Sequence, residues 1–77
     1  MNVEKQLKTL IEDITGKEHD DLSGKSLFED LEFDSVSIME LVSEIEEKFG
    51  IILEEDELID AMSTYDKLVV LIKNKRN

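Results

Sequence analysis

Apolar side chains at Val3, Leu7, Leu10, Ile11 and Ile14 recur at steps of three and four residues, which places them on one stripe of an α-helix at about 100° per residue. The same spacing returns at Ile38, Leu41, Val42, Ile45 and Phe49, and again at Tyr65, Leu68, Val69 and Ile72. No stretch alternates apolar and polar residues as a half-buried strand would, and the chain contains no proline. Stripes of this kind must cover one another, so the pattern predicts an all-α fold. It is a small four-helix bundle with a long first loop and a short third helix. The first helix covers residues 2–15 with Gly16 as its C-cap, and the second runs to Phe49 with Gly50 as its stop. The third begins among Glu54, Glu55, Asp56 and Glu57, where negative charge suits a helix N-terminus, and extends to about Met62, with Leu58 and Met62 facing inward. Ser63 or Thr64 caps the last helix, which ends in a polar tail over residues 73–77.

Between the first two helices, residues 17–33 show no helical period. Loops longer than about 12–15 residues are uncommon in compact domains unless anchored. Leu22, Leu27, Phe28 and Leu31 are the candidate anchors, with a short helical turn over residues 26–31. Ile51, Ile52 and Leu53 lead apolar side chains back to the core. Seventy-seven residues suffice for one small domain, 1–77, and no second one is expected. With no cysteine, there is no disulfide, thiol nucleophile or cysteine zinc site, and packing alone must hold the fold. Neither a signal-peptide run nor a membrane-length apolar stretch is present, so a soluble cytoplasmic monomer is expected, without membrane contact.

Charge narrows the choice of partners. Twenty acidic against nine basic residues give a net charge of -11, and residues 18–60 hold 16 of the acids with only Lys25 and Lys48 as bases. Such a field repels nucleic-acid phosphates and steers towards basic protein surfaces. Solubility alone accounts for part of it.

Function concentrates at Asp34-Ser35-Val36. Asp34 is a preferred N-cap type, so Ser35 falls at the first helical position, where unpaired N–H groups favour an anion such as a phosphate ester. Val36 and Met39 lie off the core stripe, on the same side as Ser35 and Ser43 and beside Glu40 and Glu47. A small apolar patch edged by carboxylates has the character of a docking surface.

Other chemistries fail on spacing. An EF-hand begun at Asp30 would put Ser35 where glycine is required and Leu41 where a bidentate glutamate belongs. His19, the one histidine, has no partner at a motif spacing and reads as a solvated loop residue. Ser35 has no base evident in the sequence and there is no glycine-rich phosphate loop, so catalysis by this chain alone is not expected.

The runs Leu31-Glu32-Phe33-Asp34-Ser35-Val36, Glu40-Leu41-Val42 and Ile45-Glu46-Glu47-Lys48-Phe49-Gly50-Ile51 resemble the acyl carrier protein family over essentially the whole chain. The resemblance implies that Ser35 carries 4'-phosphopantetheine, attached from coenzyme A by a phosphopantetheinyl transferase. Acyl or aminoacyl groups would ride on the arm as thioesters. Asp34 would cap the helix and contact the transferase. Val36, Met39, Glu40, Glu44 and Glu47 would form the face that meets basic surfaces of loading and processing enzymes, with Asp56 and Asp60 joining from the third helix. Several positions depart from the commonest fatty-acid carrier pattern. Glu32 stands where glycine is frequent, Val36 replaces leucine, Ser37 replaces an acid, and Leu53-Glu54 replaces Ile-Pro. These departures point to polyketide, nonribosomal peptide or related specialised biosynthesis, with fatty-acid synthesis as the alternative. A reading from another class is an acidic helical interaction module without a prosthetic group, which would not need Ser35.

Overall fold

The computed structural model of the chain describes residues 2–76 and contains four helices, α1 (Val3–Thr15), α2 (Ser35–Phe49), α3 (Glu55–Ala61) and α4 (Tyr65–Arg76). Asn2 caps α1 by accepting from the Lys5 N–H at 3.1 Å. Gly16 and Gly50 stop α1 and α2 in left-handed conformations at φ 72° and 66°, where a Cβ would be strained. α1 packs on α2 and α4, and α3 packs on α4. The centre is filled by Leu7, Ile11, Leu27, Leu41, Ile45, Leu68 and Ile72, all fully buried. Each such aliphatic side chain contributes about 1.5–3 kcal/mol on leaving water. Three helical stripes and one loop leucine meet there, as the periodicity requires.

Hydrogen bonds tie the long loop down at several points. At its middle, Asp30 and Leu31 N–H groups both donate to Ser26 O at 3.0 Å, and the Asp30 carboxylate accepts from Ser26 N at 2.7 Å. This closes one short helical-type turn over residues 26–31, as expected. Leu22, Leu27 and Leu31 anchor the loop as expected, but Phe28 does not, remaining 52% exposed. The closed turn directs Leu27 and Leu31 inward and leaves the residue after Leu27 outside. Phe33, absent from the expected anchors, is buried instead, and its N–H donates to Leu27 O at 2.9 Å. At a second tie, the Tyr65 N–H donates to Lys25 O at 2.9 Å and the Gly24 N–H to Asp66 Oδ2 at 2.6 Å. There Ser26 and Thr64 form an isolated antiparallel bridge, the one β-type pairing among the described residues.

Three further expectations are corrected. His19 is half-buried rather than solvated: its N–H donates to Glu12 Oε2 at 2.8 Å and its Nε2 lies 3.2 Å from Thr15 Oγ1, fastening the loop to the end of α1. Ile52 does not return to the core. Burial alternates as along an extended segment, with Leu53 buried, Ile51 half-buried and Ile52 facing water. Finally, residues 73–76 are helical, while Asn77 lies outside the described residues. The cations of this last turn suit a helix C-terminus, and Lys73 and Lys75 reach Glu4 (3.1 Å) and Glu57 (2.8 Å) on neighbouring helices. Either Ser63 or Thr64 was open as the cap of α4; Thr64 fills the place, its Oγ1 accepting from Lys67 N at 3.2 Å.

Candidate functional site at the start of the second helix

Two anchors define where α2 begins. Phe33 is buried, and Asp34 follows it in extended conformation at φ -109° and ψ -176°, with its Oδ1 accepting from the Ser37 N–H at 2.8 Å. The Ser37 backbone N–H, and after it the Ser37 hydroxyl, hold the Asp34 carboxyl below its ordinary pKa of 3.8. Asp34 is therefore an ionised cap at neutral pH. The serine that stands in place of the usual acid strengthens this cap rather than competing with it. Ser35 occupies the first helical position and is exposed. No acidic side chain lies in the first turn of α2, so the partial positive charge of that helix end is opposed only by Asp34. A phosphate diester on the Ser35 oxygen suits this setting. The oxygen is open to a second protein, and the helix end favours the charge.

The surface around it divides as expected. Leu41 and Ile45 are buried while Val36 and Met39 are each 71% exposed, and Glu40, Glu44 and Glu47 are exposed beside them. Asp56 and Asp60 are exposed on α3, where Asp60 also makes a 3.4 Å ion pair with Lys67. α3 is itself held by Glu57, whose side chain accepts from the Glu54 N–H at 3.0 Å within a capping box and also pairs with Lys75.

Two features lie outside the sequence reading. Ile59 stands 79% exposed between Asp56 and Asp60. The signal was available, since Leu58 and Met62 define the inward face and Ile59 is one step of about 100° off it. The other is Glu32, the one non-glycine residue described with positive φ, at 57°. The left-handed backbone there is one that favours glycine over a residue with a Cβ. Among the described residues no group of His, Cys, Asp or Glu could hold a metal ion. None of their helices is long and apolar enough to cross a membrane.

Comparison with known proteins agrees with this geometry. The family described as "Phosphopantetheine attachment site" matches residues 5–72, a span that includes the whole of α2. The acyl carrier protein of Buchnera aphidicola subsp. Schizaphis graminum is 39% identical over 75 residues, covering 96% of this chain and 94% of that one. Those of Nitratidesulfovibrio vulgaris and Streptococcus pyogenes serotype M3 are 32% identical over 77 residues (99% of this chain, 100% of the relative) and 31% identical over 75 residues (97% of each). The chain belongs to the acyl carrier protein family. It is a carrier rather than an enzyme, its prosthetic group is covalently attached 4'-phosphopantetheine, and it carries acyl groups on that arm. Its dealings are in general with a phosphopantetheinyl transferase and with acyl-processing enzymes.

Proposed function

We propose that the arm is attached through the Ser35 hydroxyl, with residues 1–77 acting as one carrier domain. The observation that carries this reading is the exposed serine at the first position of α2, behind an ionised Asp34 cap and beside Val36 and Met39, which remain in water. The transferase moves the phosphopantetheinyl phosphate from coenzyme A to the Ser35 oxygen, forming the phosphodiester and releasing adenosine 3',5'-bisphosphate. The serine proton is taken up in the transferase. The chain's own part is to hold the hydroxyl at the helix end and to offer a docking face. Asp34 contacts the transferase as well as capping. Val36 and Met39 provide apolar contact, and Glu40, Glu44 and Glu47, joined by Asp56 and Asp60, meet basic partner surfaces. Exposed ion pairs contribute about 0–1 kcal/mol each, so docking is brief and salt-sensitive, as a shuttle requires.

The departures at Glu32, Val36, Ser37 and Leu53-Glu54 favour service in polyketide, nonribosomal peptide or related specialised biosynthesis over housekeeping fatty-acid synthesis, with acyl or aminoacyl thioesters as cargo. The cytoplasm, where coenzyme A is available, is the compartment that fits.

Incubation of the apo protein with a broad-specificity transferase and coenzyme A should add the mass of one phosphopantetheine. The gain should vanish in Ser35→Ala while the helical fold persists. Modification of Ser35→Ala to the same extent would reject the assignment. Intact-protein mass spectrometry of material from the native host reads the cargo, and a long-chain fatty acyl series would reject the specialised pathway.

A further inference from the structure

We infer that the transferase's footprint extends beyond α2 onto the closed turn of the first loop, with the Phe28 ring as an anchor for an apolar pocket rimmed by cationic side chains. The inference rests on Ser35 being the attachment point.

The turn that presents Phe28 is well braced. Ser26 O accepts from the N–H groups of Asp30 and Leu31, Ser26 Oγ accepts from Glu29 N at 3.2 Å, and Asp30 Oδ2 accepts from Ser26 N. Leu27 and Leu31 are buried beneath it, so the ring is held half in water by a fixed backbone and does not swing out on a loose segment. A large aromatic side chain exposed on a braced turn is the kind of anchor found at the energetic centre of interfaces. Its surroundings are acidic. Glu29, Asp30, Glu32 and Asp34 are exposed over residues 28–34, which contain no base. An arginine-bearing surface complements both the charge and the ring face.

Position selects the transferase among the chain's partners. The Phe33 N–H donates to Leu27 O, so the turn abuts the segment leading into Ser35. With Cα steps of about 3.8 Å, this link keeps Phe28 and Ser35 within about 18 Å of each other. An interface of about 800 Å² per partner is about 30 Å across. The described residues measure 29 × 26 × 20 Å. An enzyme that must bring its reacting centre to the serine oxygen itself therefore works close to the turn. Enzymes acting at the far end of the arm need not.

The test pairs a variant with an undisturbed protein. Phe28→Ala should lower kcat/KM for modification by roughly tenfold, chiefly through KM, while Phe28→Leu, which keeps apolar packing, should fall between the two. Thermal melts of each variant show whether it is folded at the assay temperature. Independently, titrating the unsubstituted 15N-labelled apo protein with the transferase in the absence of coenzyme A should shift amide signals of residues 28–32 together with those of residues 35–40. Folded Phe28 variants within twofold of the parent, or shifts confined to α2, overturn the proposal. So does a dimer of this chain in sedimentation that Phe28→Ala dissolves, because the ring would then be covered by a second copy. If the parent itself gains no mass on Ser35, the attachment reading has failed instead, which the Ser35→Ala control identifies.

Discussion

Replacing Glu32 by glycine tests how the loop delivers the chain to Asp34. Glu32 sits at φ 57°, in the left-handed region. For a residue with a Cβ this conformation costs about 1–2 kcal/mol. Glycine removes that cost but loses about 0.5–1 kcal/mol more conformational entropy on folding. The net expectation is a gain of about 0.5–1 kcal/mol, which for a domain of this size raises Tm by about 2–8 °C. The carboxylate itself matters little. Its partner Lys17 is 4.0 Å away and both side chains are mostly exposed, so the pair contributes at the low end of about 0–1 kcal/mol. Glu32→Ala separates the two effects, because alanine loses the carboxylate but keeps the strained backbone. Urea or thermal denaturation of the parent and both variants at one salt concentration gives the comparison. Glu32→Gly should exceed Glu32→Ala by about 1 kcal/mol. Equal stability of the two, or a more stable alanine variant, would refute the argument that backbone strain is held at this position.

Other expectations follow from the same structure. Asp34→Ala should lower Tm at pH 7, and Asp34→Asn, which still caps, should lower it less. Because the folded-state pKa of Asp34 lies below 3.8, its contribution is present above that pH and disappears as pH falls through the lower folded value. The gap between parent and Asp34→Ala should therefore close in acid melts, and a gap unchanged down to pH 2 would contradict the cap. Tyr65, the one tyrosine, is buried and its hydroxyl donates to Glu4 O at 2.6 Å. Burial first, then the negative charges of Glu4, Asp66 and Asp21, push its pKa up to about 12. Stability is thus fully held below the ordinary value of 10.0 and lost as pH rises towards about 12. Phenolate absorbance, in a chain without tryptophan, should appear together with loss of helix; phenolate forming near pH 10 in a still-helical protein would contradict this. Added salt or magnesium should raise Tm by screening the acidic body, and a Tm indifferent to both would refute the idea that repulsion limits stability.

The helices and the serine's place were legible in the sequence because both are local. A three-and-four spacing defines a stripe without reference to any partner, and Asp34 before Ser35 defines a helix start through hydrogen bonds three residues apart. The exposure of Val36 and Met39 followed from the same geometry, since the buried stripe of α2 leaves one side over. What the loop does was not legible, because its anchors are settled by contacts distant in sequence. Leu27 and Phe33 pack into a core built by other helices, while Phe28 is turned out by bonds to Ser26, and Asp66, some forty residues on, holds Gly24. The end of α4 belongs to the same class. Its lysines read as a polar tail in isolation, whereas in the fold they continue the helix and Lys73 and Lys75 pair with Glu4 and Glu57 on neighbouring helices. Spacing along the chain thus determined which faces are apolar and where α2 begins. Only the packed structure decided which loop residues cover the core, because burial depends on neighbours that no local window contains.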